Sequence, residues 1–174
     1  LKRARVQVQL FPIAQLARSG KNEDALTQLA ELKKNAPEHK SAFIEFELSV
    51  LLNASMHDQA AEVLDELAAN EDNPLKLNQI TWTIYELSKE DSEFSEKLLV
   101  SANAAAKKAS ELLPEEGAIL DTYSHLLHRL GKLDDALAIQ KRAAKLIGGS
   151  NPDALAFLEQ LEKEKAEAEA DKPQ

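Results

Sequence analysis

The chain has 174 residues, of which 44% are hydrophobic and only 5% aromatic, and its 30 acidic and 21 basic side chains give a net charge of −9. This length suits one domain of ordinary size, and the scarcity of aromatic residues disfavours a β-sheet. Because nucleic-acid binding needs a basic surface, the charge argues against that role. The absence of cysteine excludes disulfides, thiol catalysis and Cys-ligated zinc. No apolar run reaches the roughly 18 residues of a membrane span.

Apolar residues at helical spacing predict a series of helices along the chain. They cover residues 3–18, 23–34, 41–53, 58–69, 75–88, 94–112, 115–130, 133–147 and 153–168. Pro12 removes a backbone donor from the first helix, so we expect that helix to be kinked or split there. The third is apolar nearly all round, which indicates burial on both sides. In the fifth, the core-facing residues are expected to be Leu77, Ile80, Thr81, Ile84 and Leu87.

The stretch from Leu120 to Leu146 contains two of these helices with Gly131 between them. Gly131 suits the left-handed backbone conformation in which a helix can end, and Asp134 is a plausible N-cap of the helix that follows. The apolar stripe of the second helix consists of Ala136, Leu137, Ile139, Ala143, Ala144 and Leu146. A hairpin of this kind cannot bury its apolar face alone, so it needs neighbours of the same shape.

The chain supplies such neighbours as weaker copies of the same pattern. Alanines 25, 60, 102 and 136 occupy equivalent positions, with separations of 35, 42 and 34 residues by subtraction. Two separations fit a period of about 34 residues, and the middle one implies an insertion of about eight. The polar segment Lys89 to Lys97 is the expected place of that insertion, as a longer turn or a longer start of a helix.

These residues resemble the tetratricopeptide repeat (TPR), most clearly in the last copy, where the matching positions are Leu120, Tyr123, Ser124, Leu127, Gly131, Ala136 and Ala143. Gln140 and Gly148 depart from it, since the family usually has a large apolar residue and proline there. The resemblance implies an all-α, right-handed α-solenoid of about four hairpins within residues 1–150, at about 6–38, 41–73, 75–114 and 117–148. Residues 151–174 are expected to form a capping helix with a polar, frayed tail, in which Asn151 is the N-cap and Pro152 the first helical residue.

In the TPR family the first helices of successive repeats line a concave groove whose exposed side chains hold peptides. Mapped onto this chain, the groove residues are Glu45, Ser49, Asn78, Trp82, Tyr85, Asp121, His125, His128 and Arg129. Trp82 and Tyr85 stand out because large amphipathic aromatic residues are good interface anchors. The alternative is that Trp82 packs in the core. In the groove reading, Trp82 lies close to His125 and His128 of the next repeat.

Catalytic motifs are missing, with no phosphate loop, no nucleophile elbow and no H-E-x-x-H sequence, so we expect no enzyme activity and no cofactor. Asp121, His125 and His128 share one helix face and leave two readings open. Two imidazoles and a carboxylate suit a divalent metal. A polar groove surface is the favoured reading, because zinc ligands usually come from more than one element and no fourth ligand is evident.

The favoured function is a protein-interaction scaffold that binds a protein or peptide segment, or another part of its own parent chain. A second, looser resemblance is to helical regions that follow thioredoxin-like domains in bacterial envelope proteins. It implies a structural or assembly domain appended to an enzyme, and a location in the bacterial envelope or periplasm, with the cytoplasm as the alternative. The chain has no initiator methionine, which we read as the sign of an excised region.

Overall fold

The computed structural model describes residues 2–91, 93–148 and 151–170, without the side chains of residues 2–5. Over these residues the chain is all α, with no strand. The helices are Lys2–Arg18 (α1), Asn22–Asn35 (α2), Lys40–Asn53 (α3), His57–Asn70 (α4), Pro74–Glu90 (α5), Glu96–Leu112 (α6), Gly117–Arg129 (α7), Leu133–Ile147 (α8) and Pro152–Ala170 (α9). A 3₁₀ turn, Pro37–His39, precedes α3. The predicted all-α helical repeat is confirmed.

The helices belong to two compact units, which are described separately. Unit 1 comprises residues 1–69 and unit 2 residues 70–174. In unit 1, α1 and α2 pack on each other and α2 packs on α3. One apolar cluster of this unit is formed by the buried residues Val6, Ile13, Ala25, Leu29, Ala36 and Phe43. The repeat boundaries themselves stay a prediction.

The third helix, α3, is buried around much of its circumference. Its buried residues are Phe43, Ile44, Leu48, Val50 and Leu51. A helix that is apolar nearly all round cannot turn one face to water without exposing large side chains, so it lies between other elements. The burial agrees with the prediction made from its sequence.

In unit 2, α5 contacts both α6 and α7, α7 packs on α8, and α8 packs on α9. The apolar cluster below α9 combines Leu127 of α7, Ala136 of α8, and Phe157 and Leu161 of α9. None of the described helices is both long and apolar enough to cross a membrane.

The four equivalent alanines are all completely buried, which supports the repeat reading of both units. Ala25, Ala60, Ala102 and Ala136 each have 0% exposure. In the last hairpin the reason is visible, because the Ser124 hydroxyl of α7 donates to the Ala136 carbonyl of α8 at 2.7 Å. A larger side chain at Ala136 would enter this helix crossing. The predicted contact between Ser124 and Ala136 is confirmed.

Three helix connections use the same turn. At Gly20, Ser55 and Gly131 the backbone has a positive φ, of 78°, 54° and 72°. In each, the N–H of the next residue bonds back to the carbonyl five residues before it, as from Lys132 to Leu127 at 2.9 Å. This arrangement is the Schellman ending of a helix, which satisfies carbonyls that would otherwise lack partners. The left-handed residue favours glycine because it has no Cβ.

The connection between α5 and α6 is different, as the expected insertion implies. It runs through Asp91 and residues 93–95, and Ser92 lies outside the described residues. Ala102 follows the start of α6 at Glu96 by six residues, whereas Ala136 follows the start of α8 at Leu133 by three. The longer repeat therefore lengthens the start of α6 as well as the turn.

Of the kink or split expected at Pro12, the split does not occur, since α1 continues through Pro12. Pro12 and Val8 are both exposed, so the carbonyl of Val8, which loses the donor of Pro12, can bond to water instead. One capping prediction is wrong. Asp134 is not the N-cap of α8, because the helix begins at Leu133 with Lys132 in the cap position. Asp134 instead pairs with Lys165 of α9 at 2.7 Å.

Two apolar residues also point elsewhere than predicted. Leu87 is 38% exposed and Leu146 is 41% exposed, although both were assigned to core stripes. In α5 the small Ser88 takes the buried position next to Leu87. The cap prediction for α9 holds, since the Asn151 side chain accepts a bond from the Asp153 N–H at 3.0 Å. The predicted break and tail also include residues 149, 150 and 171–174, which lie outside the described residues.

Candidate functional site

The candidate site begins on α5, whose two faces differ. Asn73 caps this helix by accepting a bond from the Leu75 N–H at 3.0 Å, and the buried face consists of Leu77, Thr81, Ile84 and Ser88. Trp82 and Tyr85 lie off this face. Trp82 is 37% exposed, Tyr85 is half-buried, and their rings are 5.2 Å apart. Trp82 is therefore not a core residue of unit 2.

His125 of α7 joins these rings to the last helix. Its ring lies 4.7 Å from that of Tyr85 and 5.6 Å from that of Trp82. It also stacks on Phe157 of α9, with 3.7 Å between the ring centroids. The proximity of Trp82 and His125 agrees with the register inferred from the sequence. We call Trp82, Tyr85, His125 and Phe157 the aromatic face.

Burial keeps His125 neutral at ordinary pH. The loss of hydration lowers the pKa of His125 from 6.5 to about 4, and the nearby His128 and Lys89 act in the same direction. Its Nδ1 atom is buried and has no hydrogen-bond partner in the described part of the chain. Neutral imidazole packs as a nearly apolar ring, which suits its contacts with the rings of Tyr85 and Phe157.

Asp121, one turn before His125, is held by a residue whose role the sequence did not reveal. Gln140 of α8 is completely buried, and its amide donates to Asp121 Oδ1 at 2.6 Å and to the Ala154 carbonyl at 3.0 Å. Burial raises the pKa of Asp121, which the bond from Gln140 partly offsets. The carboxylate also lies 3.7 Å from His125 Nε2. Gln140 thus connects α7, α8 and α9.

His128 and Arg129 end α7 and make separate contacts. The His128 Nε2 atom lies 2.7 Å from a carboxylate oxygen of Glu164 in α9. Arg129 donates to the Ser88 carbonyl near the end of α5. The histidines therefore turn toward different carboxylates. Among the described residues, no group of three or more His, Cys, Asp or Glu side chains could hold a metal ion.

An open pocket adjoins the aromatic face, with a volume of about 440 Å³. Its lining comes from α5, α7 and α9 and comprises Tyr85, Lys89, His125, His128, Arg129, Asp153, Ala156, Phe157 and Gln160. The contribution of α9 was missed in the sequence, because only the packing angle of this helix determines that Phe157 points at His125. The apolar stripe of α9 was the available signal, but it is equally typical of core packing.

The structure brings six of the nine predicted groove residues together in unit 2: Trp82, Tyr85, Asp121, His125, His128 and Arg129. Asn78 lies on the same helix as Trp82 and is half-buried, with no partner for its Oδ1 atom among the described residues. Glu45 and Ser49 lie in unit 1 on α3. Ser49 is exposed, and its hydroxyl donates to the Phe46 carbonyl at 2.7 Å.

No family model and no curated protein matches this chain. Among solved structures, the chain is similar to the crystal structure of TTC0263, a thermophilic TPR protein in Thermus thermophilus. The two are 22% identical over 89% of this chain and 80% of that one, with a TM-score of 0.48. The helical hairpins, their shared turn and the four buried alanines define the class of this protein. It is an all-α protein built of repeated helical hairpins.

Proposed function

We propose that the chain is a protein-interaction scaffold, without catalysis of its own, which binds a segment of a partner protein across the aromatic face of unit 2. The observation that carries this proposal is the exposure of Trp82, at 37%, beside Tyr85 and His125. Tryptophan and tyrosine contribute large contact areas at a low cost in conformational entropy and are frequent anchors of protein interfaces.

The surroundings of the face support a binding role because they hold it in one conformation before a partner arrives. His125 is held by ring contacts with Tyr85 and Phe157, and Asp121 is held by a hydrogen bond from Gln140. Arg129 is engaged by the end of α5. Preorganised side chains lose little freedom on binding, which leaves more of the contact energy as affinity.

The net charge indicates which partners approach most readily. With a net charge of −9, the chain attracts basic segments and disfavours acidic ones at long range. The exposed ring surface of Trp82 takes apolar or cationic side chains, since aromatic faces attract both. We therefore propose a basic or apolar segment as the occupant of the aromatic face.

A second candidate function is that of a packing domain appended to an enzyme, and one observation favours it. On α1, Val8 is 74% exposed and Phe11 is 59% exposed, three residues apart on one side of the helix. Such a face suits packing against another domain. This role is tested by measuring the melting temperature of this chain alone and of the same chain within a longer protein that contains an enzyme domain. Equal melting temperatures contradict the role.

The test of the main proposal is Trp82→Ala, with Thr83→Ala as the matched exposed control on the same helix. We expect Trp82→Ala to weaken the binding of a partner peptide, selected from a display library, by about 1–4 kcal/mol. The free energy of unfolding of this variant, measured by chemical denaturation and followed by circular dichroism, should change little. A stability loss of about 3–5 kcal/mol, typical of a core aromatic residue, contradicts the proposal. Unchanged affinity in Trp82→Ala contradicts it as well.

A further inference from the structure

The helices α1 and α9 carry opposite net charges. The sequence of α1 has four basic residues and no acidic one, which gives +4. That of α9 has six acidic and two basic residues, which gives −4. Since the chain has a net charge of −9, α1 differs in sign from the molecule to which it belongs. It therefore attracts acidic surfaces, and α9 is one.

One side of α1 is also apolar and exposed. Val8 is 74% exposed and Phe11 is 59% exposed, and Pro12 is exposed next to Phe11. Spacings of three and four residues place these side chains on one side of the helix, whereas Val6 and Ile13 are buried in the apolar cluster of unit 1. We call Val8, Phe11 and Pro12 the α1 face. Exposed apolar side chains on a basic helix fit a partner surface that is both apolar and acidic.

The exposed side of α9 has both of these properties. Leu155 is 38% exposed, and Glu159 and Glu162 follow it by four and seven residues, also exposed and on the same side. Glu159 forms no ion pair with any residue that the structure describes. Glu162 pairs with Lys141 at 3.3 Å, where both side chains are at least half exposed. We call Leu155, Glu159 and Glu162 the α9 face. Its carboxylates are accessible to a further cation.

We propose that the α1 face of one copy of this chain packs on the α9 face of a second copy, with the two helices antiparallel. Three basic residues of α1 come before Phe11, whereas the carboxylates of the α9 face come after Leu155. The opposite charges therefore lie side by side only if the helices run in opposite directions. Arg5 is six residues, or about 9 Å, from Phe11 along the helix. Glu159 and Glu162 are about 6 Å and about 10 Å from Leu155, and these distances bracket that of Arg5.

A second copy is the favoured partner because each chain supplies both faces at equal concentration. The contact joins two different surfaces, so each chain of a pair keeps its other face free for a further copy. Each face has few large apolar side chains, and we therefore expect weak association, with a dissociation constant on the order of 100 µM. The aromatic face is not involved, so this inference does not rest on the proposed function. It competes only with the second candidate function, in which another domain covers the α1 face.

Sedimentation velocity of the full chain from about 10 µM to about 1 mM tests the self-association. In about 20 mM salt we expect the weight-average mass to rise with concentration. In about 500 mM salt the dissociation constant should increase several-fold, because exposed charges are then screened. Trp82→Ala should associate like the parent, so a failure of this proposal is distinguishable from a failure at the aromatic face.

Two variants each remove one face. Phe11→Asp places a negative charge on the α1 face, and the double variant Leu155→Gln with Glu159→Gln removes the apolar and the acidic part of the α9 face. Each should raise the dissociation constant at least about tenfold. The controls are Leu75→Asp, at a leucine as exposed as Phe11, and Leu146→Gln, at a leucine about as exposed as Leu155. Both controls should associate like the parent, and circular dichroism checks that every variant is folded.

Mixing the two face variants identifies the surfaces that meet. Phe11→Asp keeps an intact α9 face, and the α9 double variant keeps an intact α1 face. An equimolar mixture should therefore form a complex of one chain of each, with the dissociation constant of the parent. The complex should not grow further, because its two remaining faces are the altered ones.

Four results overturn the proposal: a mass that does not rise up to about 1 mM, association that salt leaves unchanged or strengthens, parent-like association of either face variant, or no complex in the mixture. Self-association of the α9 variant alone, without a complex in the mixture, would mean that two α1 faces meet. A mass that never rises would leave the α1 face to another domain.

Discussion

The hairpins α5–α6 and α7–α8 lie in the same unit but are held together differently. In α7–α8, the Ser124 hydroxyl crosses to the Ala136 carbonyl of the partner helix, and the connection is the tight turn at Gly131. In α5–α6, Thr81 takes the position of Ser124, but its hydroxyl bonds to the Leu77 carbonyl of its own helix at 3.0 Å. Its connection is longer, and none of its described residues, Asp91 and 93–95, has the positive φ of Gly131.

This difference shows that the repeat tolerates changes in its connection as long as the small buried residues remain. Ala102 and Ala136 are both completely buried, although the turns before them differ. Close helix packing, which needs a small side chain at the crossing, is therefore the shared element of the repeat. The turn and the interhelix hydrogen bond are variable additions.

The largest expected effect concerns the contact between the two hairpins, at His125. Because its pKa is about 4 in the folded chain and 6.5 ordinarily, the unfolded state binds the proton first as the pH falls. Stability is therefore lost between about pH 6.5 and 4, by up to about 3 kcal/mol. The raised pKa of Asp121 offsets part of this loss, since the folded state then binds that proton more readily.

Chemical denaturation of unit 2 at several pH values, followed by the fluorescence of Trp82, measures this loss. His125→Phe keeps an aromatic ring in contact with Tyr85 and Phe157 but removes the titrating group, so much of the loss between pH 6.5 and 4 should disappear. His57→Gln, in unit 1, is the control and should behave like the parent. An unchanged pH profile in His125→Phe would mean that other groups account for the acid sensitivity.

The second prediction tests whether close packing defines the repeat. Ala136→Leu adds side-chain atoms at the crossing of α7 and α8, and overpacking of this kind typically costs about 1–3 kcal/mol. Ala138→Leu, on the exposed side of the same helix, is the matched control and should change stability little. Urea denaturation of the two variants gives the comparison. Equal stabilities would show that Ala136 is not at a close crossing.

The smallest effect concerns the shared turn. Ser55 adopts a φ of 54° where the equivalent turns have Gly20 and Gly131, and a side chain with a Cβ is strained there. Ser55→Gly should stabilise unit 1 by about 0.5–1 kcal/mol, and Gly131→Ala should destabilise unit 2 by a similar amount. A higher melting temperature for Ser55→Gly together with a lower one for Gly131→Ala supports the equivalence of the turns. A lower melting temperature for Ser55→Gly contradicts it.

The sequence predicted the fold best where local signals and packing agree. Helix α8 was placed at its observed bounds, Leu133–Ile147, since Gly131 and a glycine pair mark its limits. Helix α6 begins two residues later than predicted, at Glu96, with Ser95 as its N-cap. Leu87 was misplaced because the register of α5 drifts toward its end, where Ser88 and not Leu87 faces the core.

The candidate site was predictable only in part, for a physical reason. Trp82 and His125 follow from the register of α5 and α7, which the apolar stripes define. Phe157 does not, since its contact with His125 depends on the angle at which α9 returns. The role of Gln140 also depends on tertiary packing, although its departure from the apolar residue of related repeats was a signal that a buried polar contact exists.

Gln140 has a consequence for the precision with which α9 is seated. Leucine at this position would accept α9 at many sliding positions, because apolar contacts have little directional preference. The amide of Gln140 must reach the Ala154 carbonyl at 3.0 Å, and a shift by one residue along a helix moves that carbonyl by about 1.5 Å. A buried amide without its acceptor is costly. Gln140 therefore selects one register for α9, and with it the position of Phe157 against His125.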